Sequence, residues 1–341
     1  MRIPLLILAL GAALAILPFV GSEYALSFTV QLLMFTALAY SWNIIGGYAG
    51  YTHFGQVAFF GLGAYVGALL IGAGWHWLPA AGAASLAAVV LALVLGGAML
   101  RLKGSFFAIG MYGLARVGEN FALGFDGITQ GGTGLYLTPA DLKPIYAALA
   151  VIALALIYGT HRLDNARFGL QLLTIREDET AAEALGVRTT RLKIAAFMIS
   201  AAAPGAVGAL YATYLAFIDP ATAFAPMTEL TTIAMVLLGG LGTVLGPLVG
   251  AVLLSVVNEL LWSRFPELYL GLVGVIILGA VLFMPRGIVN AVARRRWRWS
   301  AAPRAGLRRL ADAVPAADTG RRALPETAPA PRAPDVSVRS T

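Results

Sequence analysis

No Asp, Glu, Lys or Arg occurs between Glu23 and Arg101. A water-soluble chain does not leave so long an interval uncharged, because roughly a quarter of its residues carry charge. At about 20 residues per crossing, the interval has room for three or more membrane helices. The remainder agrees: of 341 residues, 59% are hydrophobic and 12% charged, with mean hydropathy +0.80. The sequence therefore predicts an all-α integral membrane protein, since a helix satisfies its own backbone polar groups in lipid.

Apolar runs place about ten transmembrane segments, at residues 3–20, 28–45, 54–71, 78–100, 104–122, 144–160, 192–215, 228–242, 244–262 and 267–284. The run 228–242 is short, and the Gly-rich joint after it allows a re-entrant bend. The first run follows Arg2 as in a signal peptide, but no small-residue cleavage site precedes the next span, so it reads as a retained helix. Basic residues sort cleanly between the loops. Arg101 and Lys103, the cluster from His161 to Lys193, and Arg286 with Arg294, Arg295, Arg296 and Arg298 all fall on the side of Arg2. The positive-inside rule makes that side, and both termini, cytoplasmic. The plasma (inner) membrane of a bacterium is the expected location.

Two regions follow: a transmembrane domain, 1–290, containing a polar cytoplasmic segment at 161–192, and a basic Pro/Ala/Arg-rich tail, 291–341, without apolar periodicity and read as disordered. The net charge of +7 sits in the loops and this tail, so topology explains it and nucleic acid is not an expected partner. Trp297 and Trp299 between the tail arginines favour lipid headgroups instead. The absence of cysteine removes disulfide and thiolate chemistry.

Thr174–Gly186 is the densest acidic run. Thr174 with Glu177 reads as a capping box, Glu177, Asp178 and Glu179 suit the positive end of a helix, and Gly186 suits its C-terminus. Ala181, Ala182 and Leu185 would share one face. A short water-soluble helix between membrane spans calls for a docking partner.

Two glycine-broken segments interrupt apolar sequence, Gly46-Gly47-Tyr48-Ala49-Gly50 with Thr52, His53 and Gln56, and Gly239-Gly240-Leu241-Gly242 onward to Pro247. Such breaks in the two halves of a transporter point to its substrate path, and Asn43, Thr52, His53 and Gln56 add polar groups. The alternative is close helix packing through small residues. Arg116 and Glu119, with Asn120, read either as an ion pair on one helix face or as substrate contacts. The three histidines are scattered, so no metal site is expected. No catalytic constellation is visible, and no intramembrane carboxylate is clearly placed for ion coupling. No GxxxxGK[ST] motif occurs, so ATP is not cradled by this chain in that way.

Several blocks, in order, resemble the branched-chain amino acid permease family of ABC importers, specifically the longer of its two permease types. They are Asn43–Gly50, Phe54–Tyr65, Gly131–Leu135, Ile175–Asp178 with Ala184–Gly186, Gly239–Pro247 and Met284–Gly287. The resemblance implies a polytopic bundle that forms a translocation path, for which the glycine breaks and polar groups above offer Asn43, Gly46, Gly47, Gly50, Thr52, His53, Gln56, Glu119, Gly239, Gly240 and Gly242. It also implies partners: a second, different permease chain, two cytoplasmic ATPases that bind the ATP, and an extracytoplasmic binding protein. Thr174–Gly186 then looks like the coupling helix that enters the ATPase, carried by Glu177, Asp178, Glu179, Ala181, Ala182, Leu185 and Gly186. The wider superfamily has Glu-Ala-Ala here, whereas Thr180 precedes the alanines in this chain. Ala182→Arg is expected to spare insertion and abolish coupling. The rival readings are a urea or short-chain amide permease and a stand-alone secondary transporter; a membrane enzyme is the weakest.

Overall fold

The computed structural model describes residues 2–265 apart from Lys103, together with 267–268, 271–275, 278–279 and 287–289. The tail 291–341 and much of the candidate span 267–284 lie outside the described residues. What is described is helical, with one two-residue β-ribbon.

Helices α1 (Arg2–Val20) and α2 (Glu23–Trp42) are followed by a π-helical segment, Asn43–Tyr48, and an irregular linker. Next come α3 (Gln56–Gly72), α4 (Trp77–Met99), α5 (Ser105–Gly124) and the single turn α6 (Asp126–Thr129). Strand β1 (Leu135–Tyr136) precedes α7 (Leu142–Asp164), α8 (Arg167–Glu177), α9 (Glu179–Ala184) and α10 (Thr189–Leu215). Strand β2 (Phe217–Ile218), α11 (Pro220–Ala223), α12 (Pro226–Gly239) and α13 (Gly246–Arg264) complete the set. Among the described residues six helices, joining α11 to α12, are long and apolar enough to cross a membrane, and α1 and α3 offer shorter apolar runs. Length and hydropathy among the described residues thus do not establish the ten crossings expected, much of the run 267–284 lying outside them. The short run at 228–242 falls on α12, whose 14 residues reach only about 21 Å, and α11 with a bend at Phe224–Ala225 precedes it.

Helix α10 is the centre of the bundle and packs on α3, α4, α2 and α7. Small residues make the approach close. A Cβ on Gly63 would strike the backbone of Gly205, one on Gly208 the backbone at Phe60, and one on Gly205 would lie 2.7 Å from the Ala84 carbonyl. Ala80, Ala84, Ala88 and Ala92 turn the buried stripe of α4 toward this seam. Lipid supplies no hydrophobic drive between helices, so such seams are held by dispersion between backbones that nearly touch.

The two ends of the bundle differ. At one end β1 and β2 pair antiparallel, Leu135 with Ile218 and Tyr136 with Phe217. At the other, α8 and α9 lie against the π-helical segment and the start of α10. The single helix expected over Thr174–Gly186 is here two, broken at Asp178, which takes an extended backbone (φ −156°, ψ 109°). The Asp178 carboxylate accepts from the amides of Thr180 (2.8 Å) and Ala181 (3.0 Å), making it the N-cap of α9. Thr174 forms no capping box; its hydroxyl donates back to the Gln171 carbonyl at 2.8 Å. Burial of Leu172 and Ile175 extends α8 back to Arg167, and a helix already running cannot be capped at its eighth residue. Gly186 does terminate α9. Its φ is +84°, and Val187 and Gly186 donate to the carbonyls of Ala182 (3.0 Å) and Glu183 (2.9 Å), closing a Schellman turn.

Candidate functional site

Ala181, Ala182 and Leu185 do not share a face. Ala182 is 2% exposed and packs in the core with Tyr48, Leu172 and Phe197, whereas Leu185 is 81% exposed. Arginine at Ala182 would therefore disturb the seating of α9 itself, and Leu185 is the apolar group that α9 presents outward. Glu177 and Asp178 are exposed, and Glu179 turns inward.

That inward turn builds the first of two sites. Glu179 accepts from Tyr51 Oη at 2.6 Å and from Lys193 Nζ at 2.5 Å. Lys193 also donates to Tyr51 Oη at 3.0 Å and sits over its ring, 5.0 Å from the centroid. Burial, then the hydrogen bond to Glu179, raises the Tyr51 phenol above its ordinary range, so it remains a proton donor to the carboxylate at physiological pH. One turn away, Arg176 Nη1 donates to the Gly47 carbonyl at 2.6 Å. Gly47 lies in turn against Gly242, whose own Cβ would stand 2.6 Å from Arg176 Nη1. With φ +65° at Gly242, glycine is required twice over, by conformation and by space.

The two glycine-broken segments thus meet. Asn43 Oδ1 accepts from the Gly242 amide at 2.9 Å and Nδ2 donates to the Thr243 carbonyl at 3.2 Å. Tyr40 adds a hydrogen bond to the Val244 carbonyl at 2.6 Å. Among the expected path residues, Asn43, Gly46, Gly47, Gly239 and Gly240 are all buried in this junction, and both ends of the Asn43 amide are engaged by backbone. Gly50 and Thr52 line a cavity of about 680 Å³ that opens beside Arg176 and Glu179. His53 is buried against Trp42 and Phe107. Glu119 lies apart on α5 and pairs with Arg116, which also holds the Phe224 carbonyl.

A second site went unread in the sequence. A groove of about 490 Å³ runs between α2, α12 and α13, with Tyr24, Gln31, Thr228, Ser255, Asn258 and Glu259 among its lining. It begins at the end of α2 remote from α8. Tyr24 hydrogen-bonds Glu259 across its mouth. Beyond its floor, Glu229 is 3% exposed, and its Oε2 accepts from the Val57 amide at 2.7 Å in the first turn of α3. Glu229, which the sequence reading passed over, is buried at the junction of α2, α3 and α12. The signal was present. Tyr24, Ser27 and Gln31, and Ser255, Asn258 and Glu259, recur at helical spacing on otherwise apolar helices.

An all-α membrane domain, broken at two glycine segments that meet and are gripped by a polar helix pair, defines a transporter-type permease. The family model described as "Branched-chain amino acid transport system / permease component" matches residues 24–281, and the chain belongs to that family. The high-affinity branched-chain amino acid transport system permease protein LivM of Salmonella typhimurium is 30% identical over 80% of this chain and 71% of its own length. LivM of Escherichia coli is 29% identical over the same shares. The autoinducer 2 import system permease protein LsrC of Yersinia pseudotuberculosis is 27% identical over 54% of each chain. No solved structure matches the chain significantly. The protein is thus a multi-pass membrane component of a transport system.

Proposed function

We propose that the chain is the transmembrane subunit of an ABC importer that carries branched-chain or related amino acids across the inner membrane. The observation that supports this best is the grip of α8 and α9 on the linker between α2 and α3. Arg176 holds Gly47, Glu179 holds Tyr51 and Lys193, and Asn43 passes the connection to Gly242. A force applied to α9 is delivered through these bonds to both glycine-broken segments and to the first turn of α10. ATP is bound and hydrolysed by two separate cytoplasmic subunits, and this chain needs no cofactor of its own. A second permease chain of the same family completes the translocation path. An extracytoplasmic binding protein delivers the substrate at the β1–β2 end, and both termini are cytoplasmic.

For this arrangement to transport, the ATPase must contact α9 differently in its two nucleotide states. Leu185, outward and apolar, is the contact to test. In reconstituted vesicles Leu185→Asp is expected to lower binding-protein-stimulated ATP hydrolysis more than tenfold while thermal stability holds. Stimulation at the wild-type level would remove α9 from the docking role. Substrate movement by the purified chain without an ATPase would favour the stand-alone transporter. Uptake of urea but not leucine by the complete complex would favour the amide permease.

A further inference from the structure

Two buried oxygen acceptors converge behind the floor of the groove, and neither has a donor. Gln56 Nε2 donates to the Leu38 carbonyl at 2.8 Å, which fixes the amide and turns Oε1 away without a partner. Glu229 spends Oε2 on the Val57 amide and leaves Oε1 unpartnered. Both side chains are 3% exposed. They line a cavity of about 10 Å³, the size of a single water molecule or ammonium group. The nearest hydroxyl is already used, since Thr232 donates to the Thr228 carbonyl at 2.8 Å. Thr228 belongs to the lining of both this cavity and the groove.

The same polarity continues outward. Ser255 Oγ and Asn258 Oδ1 are buried on the groove wall without partners. The lining of groove and cavity includes two carboxylates, Glu259 and Glu229, and neither Lys, Arg nor His. Such a surface is rich in acceptors and negative charge, beside the neutral donors of Ser27, Gln31 and Thr231. Those neutral donors can meet the carboxylate of a zwitterion, whereas an anion alone finds no cationic partner there. The complementary ligand is a compact cation with several N–H donors. The N-terminus of α3 offsets part of the Glu229 charge, but a lone carboxylate at this depth still calls for a cation or a proton.

We propose that groove and cavity form a site for a primary ammonium group, with Glu259 receiving it at the mouth and the Glu229–Gln56 pair holding it at the inner end. The inference rests on the amino-acid reading above and adds the residues that recognise the α-ammonium of the substrate. The volume of the groove admits a whole amino acid, and the inner cavity admits only its –NH3+ end.

The test uses the complete complex, with its ATPases and binding protein, in proteoliposomes supplied with radiolabelled leucine. Glu229→Gln keeps an acceptor for the Val57 amide and nearly the same volume while removing the charge. Leucine uptake is expected to fall at least tenfold, with assembly and resting ATP hydrolysis unchanged. Uptake within twofold of wild type overturns the proposal, as does a loss of uptake matched by loss of assembled complex together with normal behaviour of a second variant. That second variant is Glu259→Gln, at the partly exposed mouth, expected to raise the leucine concentration for half-maximal uptake at least threefold at an unchanged maximal rate; no change there overturns the role of the mouth. If the wild-type complex moves urea and not leucine, the amino-acid reading itself has failed. If wild type moves leucine and both variants do too, only the ammonium site has failed.

Discussion

The α8–α9 end and the groove between α2, α12 and α13 are both polar, yet they spend their polarity in opposite ways. At the α8–α9 end Tyr51, Glu179 and Lys193 satisfy one another, and Arg176 and Asn43 spend their donors on backbone carbonyls. In and behind the groove, Gln56, Glu229, Ser255 and Asn258 each keep an oxygen without a donor. Satisfied polar networks rigidify; acceptors without a donor from the protein are open to water or a ligand. The first arrangement suits a joint that must carry force, and the second a surface that must exchange partners.

This contrast has measurable consequences, beginning with the largest. Lys193→Met strands Glu179 in a site where the lysine side chain is 5% exposed and the glutamate 16%. Removing one partner of a buried pair costs about 3–5 kcal/mol, so thermal denaturation of the detergent-solubilised protein should shift sharply downward, and a shift within error would mean that the joint is not held by this pair. Arg176→Ala should cost about 2 kcal/mol through the lost charged hydrogen bond. Its sharper signature is functional, with uptake falling more than tenfold in vesicles while ATP hydrolysis continues, and Arg176→Lys restoring part of it. Gly242→Ala, forced into left-handed backbone beside Arg176, should destabilise by about 1–2 kcal/mol; equal stability would show that this junction has slack. Ser255→Ala carries the smallest effect, within about 0.5 kcal/mol of wild type, because an oxygen without a partner loses nothing on removal. A drop as large as that of Arg176→Ala would erase the distinction between the two regions.

Much of this was written in the sequence because lipid enforces composition. The uncharged interval after Glu23, the glycine breaks and the apolar runs could be read directly, and the cap at Gly186 followed from local chemistry. The break at Asp178 could not. Thr174 and Asp178 are both competent caps, and the choice between them was made by the burial of Leu172 and Ile175 and by the pull of Gly47 on Arg176. The pairing of Tyr51 with Glu179 and Lys193 spans more than a hundred residues, which no local pattern encodes. Glu229 was visible as a charge but sat at the start of an apparent span, where interface placement is the ordinary explanation. Only the arrival of α3 beside it, through the Val57 amide, shows that α12 starts inside the bundle.

Helix α10 joins the two ends. It starts beside α9, runs 27 residues, or about 40 Å, and ends one residue before the strand that pairs with β1. Along that length glycine and alanine place its backbone against α3 and α4, with few long side chains between them to yield. A lever is only as good as its stiffness. Because this one is braced by backbone contact, a tilt of a few degrees imposed at Lys193 is returned as about 2–3 Å at Phe217–Ile218, so the small ribbon registers at one end of the bundle what is done at the other.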